Sequence, residues 1–455
     1  MQLKELKYLV YLSGPIIVAQ LARTAMSFVD IVMSGHYSTD ALAAVSLGSS
    51  IWFPIFVLGY GIIIMLSADV ARHKAQNDSN GVKESINIYL TISSLLTVPI
   101  VLLLIGAVHL LPYIGVDQQV VEITRGYVIA MAFGVPGVLV FNVFRSVLQG
   151  LEDTKIAMYI STLALLLNIP LNYVLIFGHF GMPELGAVGA GITTAVINTL
   201  SALCLVIYFY YKQDYQHYRA RLSFKFTPKL KIAFWIGVPS GLAFFVEMVF
   251  LDIIAFGVAP LGTNVIAANN VMLNIATIIF TVTSGIASAA TVRVSILAGE
   301  RDFKALSSFS ILTMCLITSI SVVFGLVIYV FANRVIALYT NDPSVIMLAA
   351  SVIVLLCLFQ LFDSMQAALS GMLRELHETK IVFYAPIFGY WIIGLPLGFT
   401  LGLTDFFVEP MGLRGFWYGL LSGLMINSFT LFFLYRSRLK RRRKQYEKYY
   451  SEVNV

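Results

Sequence analysis

Apolar runs recur along the whole chain, broken by short segments in which the charged residues concentrate. Each run is about as long as the ~20 residues a helix needs to cross a hydrocarbon layer. Twelve spans are predicted, over residues 8–34, 42–70, 86–111, 121–148, 156–178, 186–211, 231–259, 265–298, 306–331, 345–372, 381–403 and 411–435. The predicted fold class is therefore an all-α polytopic membrane protein. Pro15, Pro136, Pro170, Pro239 and Pro396 interrupt spans and predict kinks or local unwinding of use in gating.

The positive charges fix an orientation. Lys4 and Lys7, the loops after every second span with the span ends beside them, and the tail together hold 26 Lys and Arg residues, whereas the opposite loops hold two, Arg334 and Arg414. That bias puts both termini in the cytoplasm, and an even span count agrees. The longest connection, KQDYQHYRARLSFKFTPKLK at residues 212–231, is basic and divides the spans six and six. The predicted organisation is an N-terminal six-helix lobe over 1–211, a basic cytoplasmic linker over 212–231, a C-terminal six-helix lobe over 232–436 and a basic tail over 437–455.

The halves resemble each other. FVDIVMSG at Phe28 returns as FLDIIAFG at Phe250, LQGLEDTK at Leu148 as LSGMLRELHETK at Leu369, NIPLN at Asn168 as GLPLG at Gly394, and LGAVGAG at Leu185 as MGLRGFW at Met411. The offset stays between 221 and 226. Six spans per half give both halves one orientation, which predicts two bundles related by a pseudo-two-fold axis along the membrane normal, with a cleft between them. A transporter that rocks about that cleft follows.

Composition supports the membrane reading and narrows the chemistry. The chain is 58% hydrophobic and only 12% charged, with a mean hydropathy of +0.85; a soluble protein carries about twice that charge. No apolar stretch ends in a small-residue cleavage site, so no removable signal peptide is expected. Cys204, Cys315 and Cys357 lie inside apolar runs and read as small core residues, and the six histidines are scattered, so no metal site or cofactor is expected. The net charge of +6 does not point to nucleic acid. Its densest cluster, RSRLKRRRK at Arg436, follows an apolar run and reads as a topology signal and a contact for anionic lipid.

A charge inside the bilayer costs on the order of 3 kcal/mol or more and marks a cavity or a partner. In the first half, Asp30 lies roughly 8 Å below the outer surface, Asn172 roughly 9 Å and Thr194 roughly 12 Å, with Asn168 one turn deeper than Asn172. One carboxylate among amide and hydroxyl oxygens suits a monovalent cation or an exchanging proton. Thr194 alone is explained as well by a helix–helix hydrogen bond. In the second half, Asp252 repeats Asp30, while Glu247 and Asp363, with Gln360 beside the latter, fall nearer the midplane and predict a cation-attracting cleft. Met33, Met65 and Phe53 are candidates for a pliable apolar wall. Arg145, Arg293 and Arg374 read as anchors near the cytoplasmic ends, Asp40 as a helix N-cap, and Glu152, Asp153, Arg301 and Asp302 as solvated loop charges.

AQLARTAMSFVDIVMSG at Ala19, NIPLNYVLIFGHFGMPELGAVGAG at Asn168, FFVEMVF at Phe244, FQLFDSMQAALSGMLRE at Phe359 and LTDFFVEPMGLRGFWYG at Leu403 resemble the multidrug and toxic compound extrusion (MATE) family, most closely its NorM-like bacterial branch. The resemblance covers essentially the whole chain. It implies twelve helices in two lobes, alternating access, and export of lipophilic cationic drugs and dyes from the bacterial inner membrane, driven by inward Na⁺ or H⁺. Asp30 falls on the family's first-helix carboxylate, Asn168 and Asn172 on its fifth-helix polar pair, and Glu247 and Asp363 on its second-lobe acids. Phe359 stands where the branch often has Tyr, removing a candidate oxygen ligand. Arg23 stands where it favours Gln, two turns or about 10.5 Å from Asp30, close enough to depress the proton affinity of that acid.

Ion and substrate are expected to compete for the same negative charge. The working unit is expected to be a monomer, handling small cationic amphiphiles and no nucleic acid. A flippase for lipid-linked saccharides is the main alternative; it calls for several basic residues to hold pyrophosphate, and Arg23 is the one base expected near mid-span. A membrane enzyme lacks a nucleophile–base motif at membrane depth.

Overall fold

The computed structural model describes residues 2–114, 117–220, 223 and 226–453, the side chains of 2, 114 and 445–453 excepted. Arg221 and Lys225 of the predicted linker, and Asn454 and Val455 of the predicted tail, lie outside the described residues. The helices are α1 (Gln2–Tyr37), α2 (Thr39–Ile63), α3 (Met65–Ala75), α4 (Ser79–Leu110), α5 (Gln118–Phe133), α6 (Val135–Gly150), α7 (Lys155–Phe177), α8 (Ala187–Tyr211), α9 (Pro228–Val258), α10 (Thr263–Gly299), α11 (Phe303–Val330), α12 (Ala332–Ala337), α13 (Pro343–Ala350), α14 (Ile353–Glu375), α15 (Thr379–Pro386), α16 (Leu395–Leu403) and α17 (Leu413–Val453). Among the described residues eleven continuous helical segments are long and apolar enough to cross a membrane, and α5 with α6, bent by 44° at Gly134, completes twelve. The chain is an all-α, multi-pass membrane protein. Large apolar side chains such as Leu102, Leu103, Val322, Val323 and Leu326 are exposed on the helices, as a bilayer solvent allows.

The chain divides into two compact units. One is Gly14–Phe245; the other joins Met1–Ser13 to Val246–Val455. In the Gly14–Phe245 unit, α8 packs on α5, α6 and α7, around a core that includes Tyr89, Tyr127, Phe141, Phe144 and Phe209. In the other unit, α14 packs on α10, α11 and α17 around Phe250, Phe416 and Trp417. There α16 and α17 meet through glycines. A Cβ on Gly419 would stand 2.5 Å from Gly398 Cα, so only hydrogen fits and the backbones touch directly.

The tenth and eleventh spans are irregular. The tenth crosses as α14 alone; α13, which the sequence joins to it, is a separate helix capped by Asp342, and the chain turns at Ser351, whose Oγ donates to Leu348 O (2.7 Å). The eleventh holds a π-helical stretch, Ile387–Gly394, directly before Pro396, with Leu395 N–H donating to Tyr390 O five residues back. Proline cannot donate to the ladder and crowds the preceding turn, and the wider winding accommodates it.

The duplication survives best in four turns on the predicted cytoplasmic side. Asn77, Glu152, Arg301 and His377 each have φ between 54° and 66°. The next residue donates six-to-one: Asp78 N to His73 O (2.9 Å), Asp153 N to Leu148 O (2.8 Å), Asp302 N to Leu297 O (3.0 Å) and Glu378 N to Leu373 O (3.0 Å). These are Schellman turns with a non-glycine residue in the left-handed position. Asp78 and Asp302 then cap the following helices through Gly81 N (2.9 Å) and Ala305 N (2.8 Å).

Several sequence expectations change. Glu152 and Asp153 are paired rather than solvated. Lys74 Nζ reaches Glu152 Oε2 at 2.5 Å. Asp153 Oδ2 accepts from Lys212 Nζ (2.8 Å), Tyr208 OH (2.7 Å) and Tyr215 OH (2.6 Å), which clasps the start of the linker. Burial raises the Asp153 carboxyl, but these bonds outweigh it and hold the group below its ordinary range. The α2 cap is Ser38, accepting from Ala41 N (3.0 Å), with Asp40 in the first turn. Cys204 and Cys315 are exposed rather than core, because they fall on the outer faces of their helices; Cys357 is half-buried. Arg293 is held by Glu5 through two bonds of 2.9 and 2.6 Å.

Candidate functional site: two buried acidic clusters and a basic pair

In the Gly14–Phe245 unit, α1, α7 and α8 bring four predicted residues together. Asn168 and Asn172 sit one turn apart on α7, so both amides reach one oxygen. Asp30 Oδ1 accepts from Asn168 Nδ2 (2.9 Å) and Asn172 Nδ2 (2.6 Å), and Oδ2 from Thr194 Oγ1 (2.8 Å). All four residues are buried. Asn172 Oδ1 has no partner, nor has Ser34 Oγ, one turn beyond Asp30 on α1. Tyr127 lies within electrostatic reach of Asp30. Among the described residues no basic side chain pairs with Asp30. Neutral donors stabilise the carboxylate without cancelling its charge, so the field stays available to a cation or a proton.

In the other unit, α9 carries Glu247 and α14 carries Asp363. Gln366 Nε2 donates to both Glu247 oxygens at 3.2 Å, and Gln366 Oε1 accepts from Tyr390 OH at 2.6 Å. Asp363, buried, feels the charge of Glu247, and Tyr390 feels both. Tyr390 stacks on Phe250 with centroids 4.8 Å apart. Asn427 is fully buried beside Tyr390, and neither of its amide atoms has a partner at hydrogen-bond geometry. Arg374 lies within electrostatic reach of Glu247, but among the described residues neither acid has a base at salt-bridge distance, and with the unsatisfied amide they make a second place for a small cation.

Gln366, Tyr390 and Asn427 escaped the sequence reading. Gln366 had a signal, its place one turn from Asp363 on the same face. Tyr390 and Asn427 sit in apolar runs, and the π-helical turn that aims Tyr390 leaves no mark in hydropathy.

The other predicted residues scatter. Asp252 is exposed and joins neither cluster. Met65 is buried in the core and Met33 packs against it, so they fill space there. Phe53 is half-exposed. Phe359, buried, meets Trp417 edge-on at 5.8 Å. Gln360 bridges Ala276 O (3.3 Å) and Phe280 N (3.2 Å) on α10, a packing role.

Arg23 is half-buried. Its guanidinium lies 4.1 Å from the Phe141 ring centroid, Nη2 is 3.5 Å from Asn198 Oδ1, and Nε is buried without a partner. It lies within electrostatic reach of Arg145 and Tyr60. Arg145 is therefore more than an anchor: its Nη2 donates to Tyr60 OH at 3.0 Å, and its buried Nε has no partner.

The profile of the MatE family matches residues 15–174 and 239–400. A probable multidrug resistance protein NorM of Photorhabdus laumondii is 61% identical over 96% of each chain, and the multidrug resistance protein NorM of Vibrio vulnificus is 34% identical over 92% of this chain and 93% of its own. The eukaryotic MATE transporter AtDTX14 has the same fold, with a TM-score of 0.88 at 21% identity over 98% of this chain and 99% of its own. An outward-facing multidrug resistance MATE transporter of the MOP superfamily gives 0.85 at 23% identity over 96% of each chain. The matched profile spans both halves that the internal repeat defines, and the chain belongs to the MATE family.

Proposed function

We propose that this chain is a multidrug exporter of the bacterial cytoplasmic membrane, with both termini cytoplasmic, that expels lipophilic organic cations by alternating access in exchange for inward Na⁺ or H⁺. The observation that carries the reading is the Asp30 carboxylate, held by three neutral donors with no base among the described residues. An anion so held, inside the span, has an outlet in a mobile cation. Glu247, held by Gln366 and within electrostatic reach of Arg374, and its neighbour Asp363 supply a second acidic place. The multidrug resistance names of the NorM relatives support the substrate class. Inward movement of each coupling charge draws about 2.3 kcal/mol per 100 mV from the membrane potential. The function needs no cofactor, and a monomer suffices.

The test is dye export from proteoliposomes under an imposed Na⁺ gradient and, separately, an imposed pH gradient. Export under one gradient, lost in Asp30→Asn, is the expected result. Export that ignores both gradients overturns antiport.

A further inference from the structure

The last helix does not stop at the membrane. α17 runs unbroken from Leu413 to Val453, well past the predicted end of its span at residue 435. Tyr435 OH and Ser310 Oγ, buried and 2.5 Å apart, fasten it to α11 at that level. The segment 436–444 has two faces. Arg438, Leu439 and Arg442 are half-buried. At about 100° per residue they share an arc of about 100°, which continues the buried face of the span. Arg442 Nη2 donates to Leu376 O, and Arg438 Nε lies 3.6 Å from Glu378 Oε1. Both contacts are to the turn between α14 and α15.

Arg436, Lys440, Arg441 and Lys444 are exposed, and among the described residues none meets a carboxylate at salt-bridge distance. They fall within about 140° on the opposite side of the helix, and no acid interrupts the segment. The segment rises about 12 Å from the end of the span. Headgroup layers are about 5–8 Å deep on each side of the hydrocarbon, and long basic side chains bend back toward them. Four cations so placed lie among the phosphates of the leaflet on the tail side. The packed face is already occupied by the turn, so lipid on the outer face holds the helix against the turn rather than competing for it. The turn matters because α14 ends there. Arg374, in the last turn of α14, lies within electrostatic reach of Glu247, and the same helix carries Asp363 and Gln366.

We propose that Arg436, Lys440, Arg441 and Lys444 form a binding site for anionic phospholipid headgroups, and that lipid seated there holds the tail on the α14–α15 turn and sets the ion response of the Glu247–Asp363 cluster. The lipid site stands on its own geometry. Its effect on ion response rests on the antiport reading.

The test compares the full chain in phosphatidylcholine bilayers with and without phosphatidylglycerol at about one lipid in three. Hydrogen exchange reads residues 436–444 and 376–380; gradient-driven dye export reads the ion concentration at half-maximal rate. Phosphatidylglycerol is expected to slow exchange in both segments about fivefold or more and to shift the half-maximal ion concentration about threefold or more. The variant with Arg436, Lys440, Arg441 and Lys444 all replaced by Gln is expected to lose every lipid effect, with wild-type exchange along α10 and α11 certifying its fold. Arg442→Gln is expected to keep lipid protection of the tail and lose that of the turn. Equal tail exchange in the two bilayers, or protection that survives in the four-Gln variant, overturns the lipid site. So does equal protection by glycerol phosphate or a short RNA in solution over phosphatidylcholine. Tail protection with an unchanged turn, or a protected turn with an unshifted ion response, overturns the coupling and leaves the lipid site in place. Export that ignores both ion gradients in either bilayer overturns the antiport reading and the coupling with it, while tail exchange still decides the lipid site.

Discussion

Replacing Asp30 by asparagine separates the chemistry of the first cluster from its architecture. Asparagine is isosteric, so its oxygen keeps both amide donors, Asn168 and Asn172, now at 2.9 and 2.6 Å from Asp30 Oδ1. Its NH₂ faces Thr194 Oγ1, which accepts once the hydroxyl rotates. Three hydrogen bonds change from charge-assisted to neutral. A bond to a charged group contributes about 1.5–3 kcal/mol and a neutral one about 0.5–1.5 kcal/mol, a combined loss of about 4 kcal/mol. Removing a charge from the membrane span returns on the order of 3 kcal/mol. The two nearly cancel, so the variant should melt within a few degrees of wild type. Asn172→Ala behaves differently: it removes the charged bond to Asp30 and the 3.1 Å bond to Asn168 Oδ1 and leaves a cavity, at a cost of about 3–5 kcal/mol. The assay pairs thermal melting in detergent with gradient-driven dye export in proteoliposomes. Asp30→Asn is expected to keep its melting temperature and lose export; Asn172→Ala is expected to lose both. An Asp30→Asn protein that exports dye at the wild-type rate under the same gradient refutes the coupling role. One that melts as low as Asn172→Ala refutes the energetic argument.

In the second cluster, Gln366→Ala removes the bridge between Glu247 and Tyr390 and should shift the concentration of Na⁺ or H⁺ at half-maximal export at least fivefold, while Tyr390→Phe shifts it less; unchanged ion dependence in Gln366→Ala excludes the bridge from coupling. Gly419→Ala puts a methyl 2.5 Å from Gly398 Cα and should cost about 1–3 kcal/mol, read as a lower melting temperature with α16 opened to hydrogen exchange. Asp153 has a carboxyl held below its ordinary 3.8, so the stability it contributes is fully present above pH 3.8 and is lost as pH falls through the lowered value. Hydrogen exchange at residues 212–220 should therefore rise in wild type only in that acid window, and at neutral pH in Asp153→Asn; equal protection in both at pH 7 removes the clasp.

How much the sequence disclosed depended on the kind of signal. The spans were legible because hydrocarbon imposes a length and a hydropathy that single residues cannot hide. The Asp30 cluster was legible because α-helical rise converts sequence position into depth, and a charge at depth is rare enough to stand out. Asn427 and Tyr390 are neither charged nor periodic, and their meaning comes from a π-helical turn that only the packed structure contains. Arg145 was assigned to the membrane edge from its distance to the end of α6. Its partner is set by Tyr60 on another helix, and no rule based on position along one helix reaches that. Glu152 and Asp153 looked like solvated loop charges because loops usually are solvated. Here the loop folds back onto Lys74 and Lys212.

The internal repeat sharpens what duplication keeps. The four turns with a left-handed residue and a following acid recur in both units, and the roles of the acids recur with them: Asp78 and Asp302 cap helices, while Asp153 meets Lys212 and Glu378 lies 3.6 Å from Arg438. Backbone geometry and its immediate partners were copied together, because a Schellman turn is satisfied locally. The buried acids were not. Asp252 repeats Asp30 in sequence yet is exposed and joins no cluster, and no pair like Asn168 and Asn172 stands at the repeat positions, which read Gly394 and Gly398. Those glycines instead let α16 lie against α17. A small residue chosen for close helix contact cannot also supply an amide donor. The second unit's acids accordingly sit elsewhere, at Glu247 and Asp363, with donors drawn from α14 and the π-helical stretch. If each cluster evolved its own donors, each should respond to substitution independently. Asp30→Asn and Asp363→Asn are then expected to be additive within about 0.5 kcal/mol in thermal stability, and a double variant that departs from additivity by more than that would place the two clusters in one network.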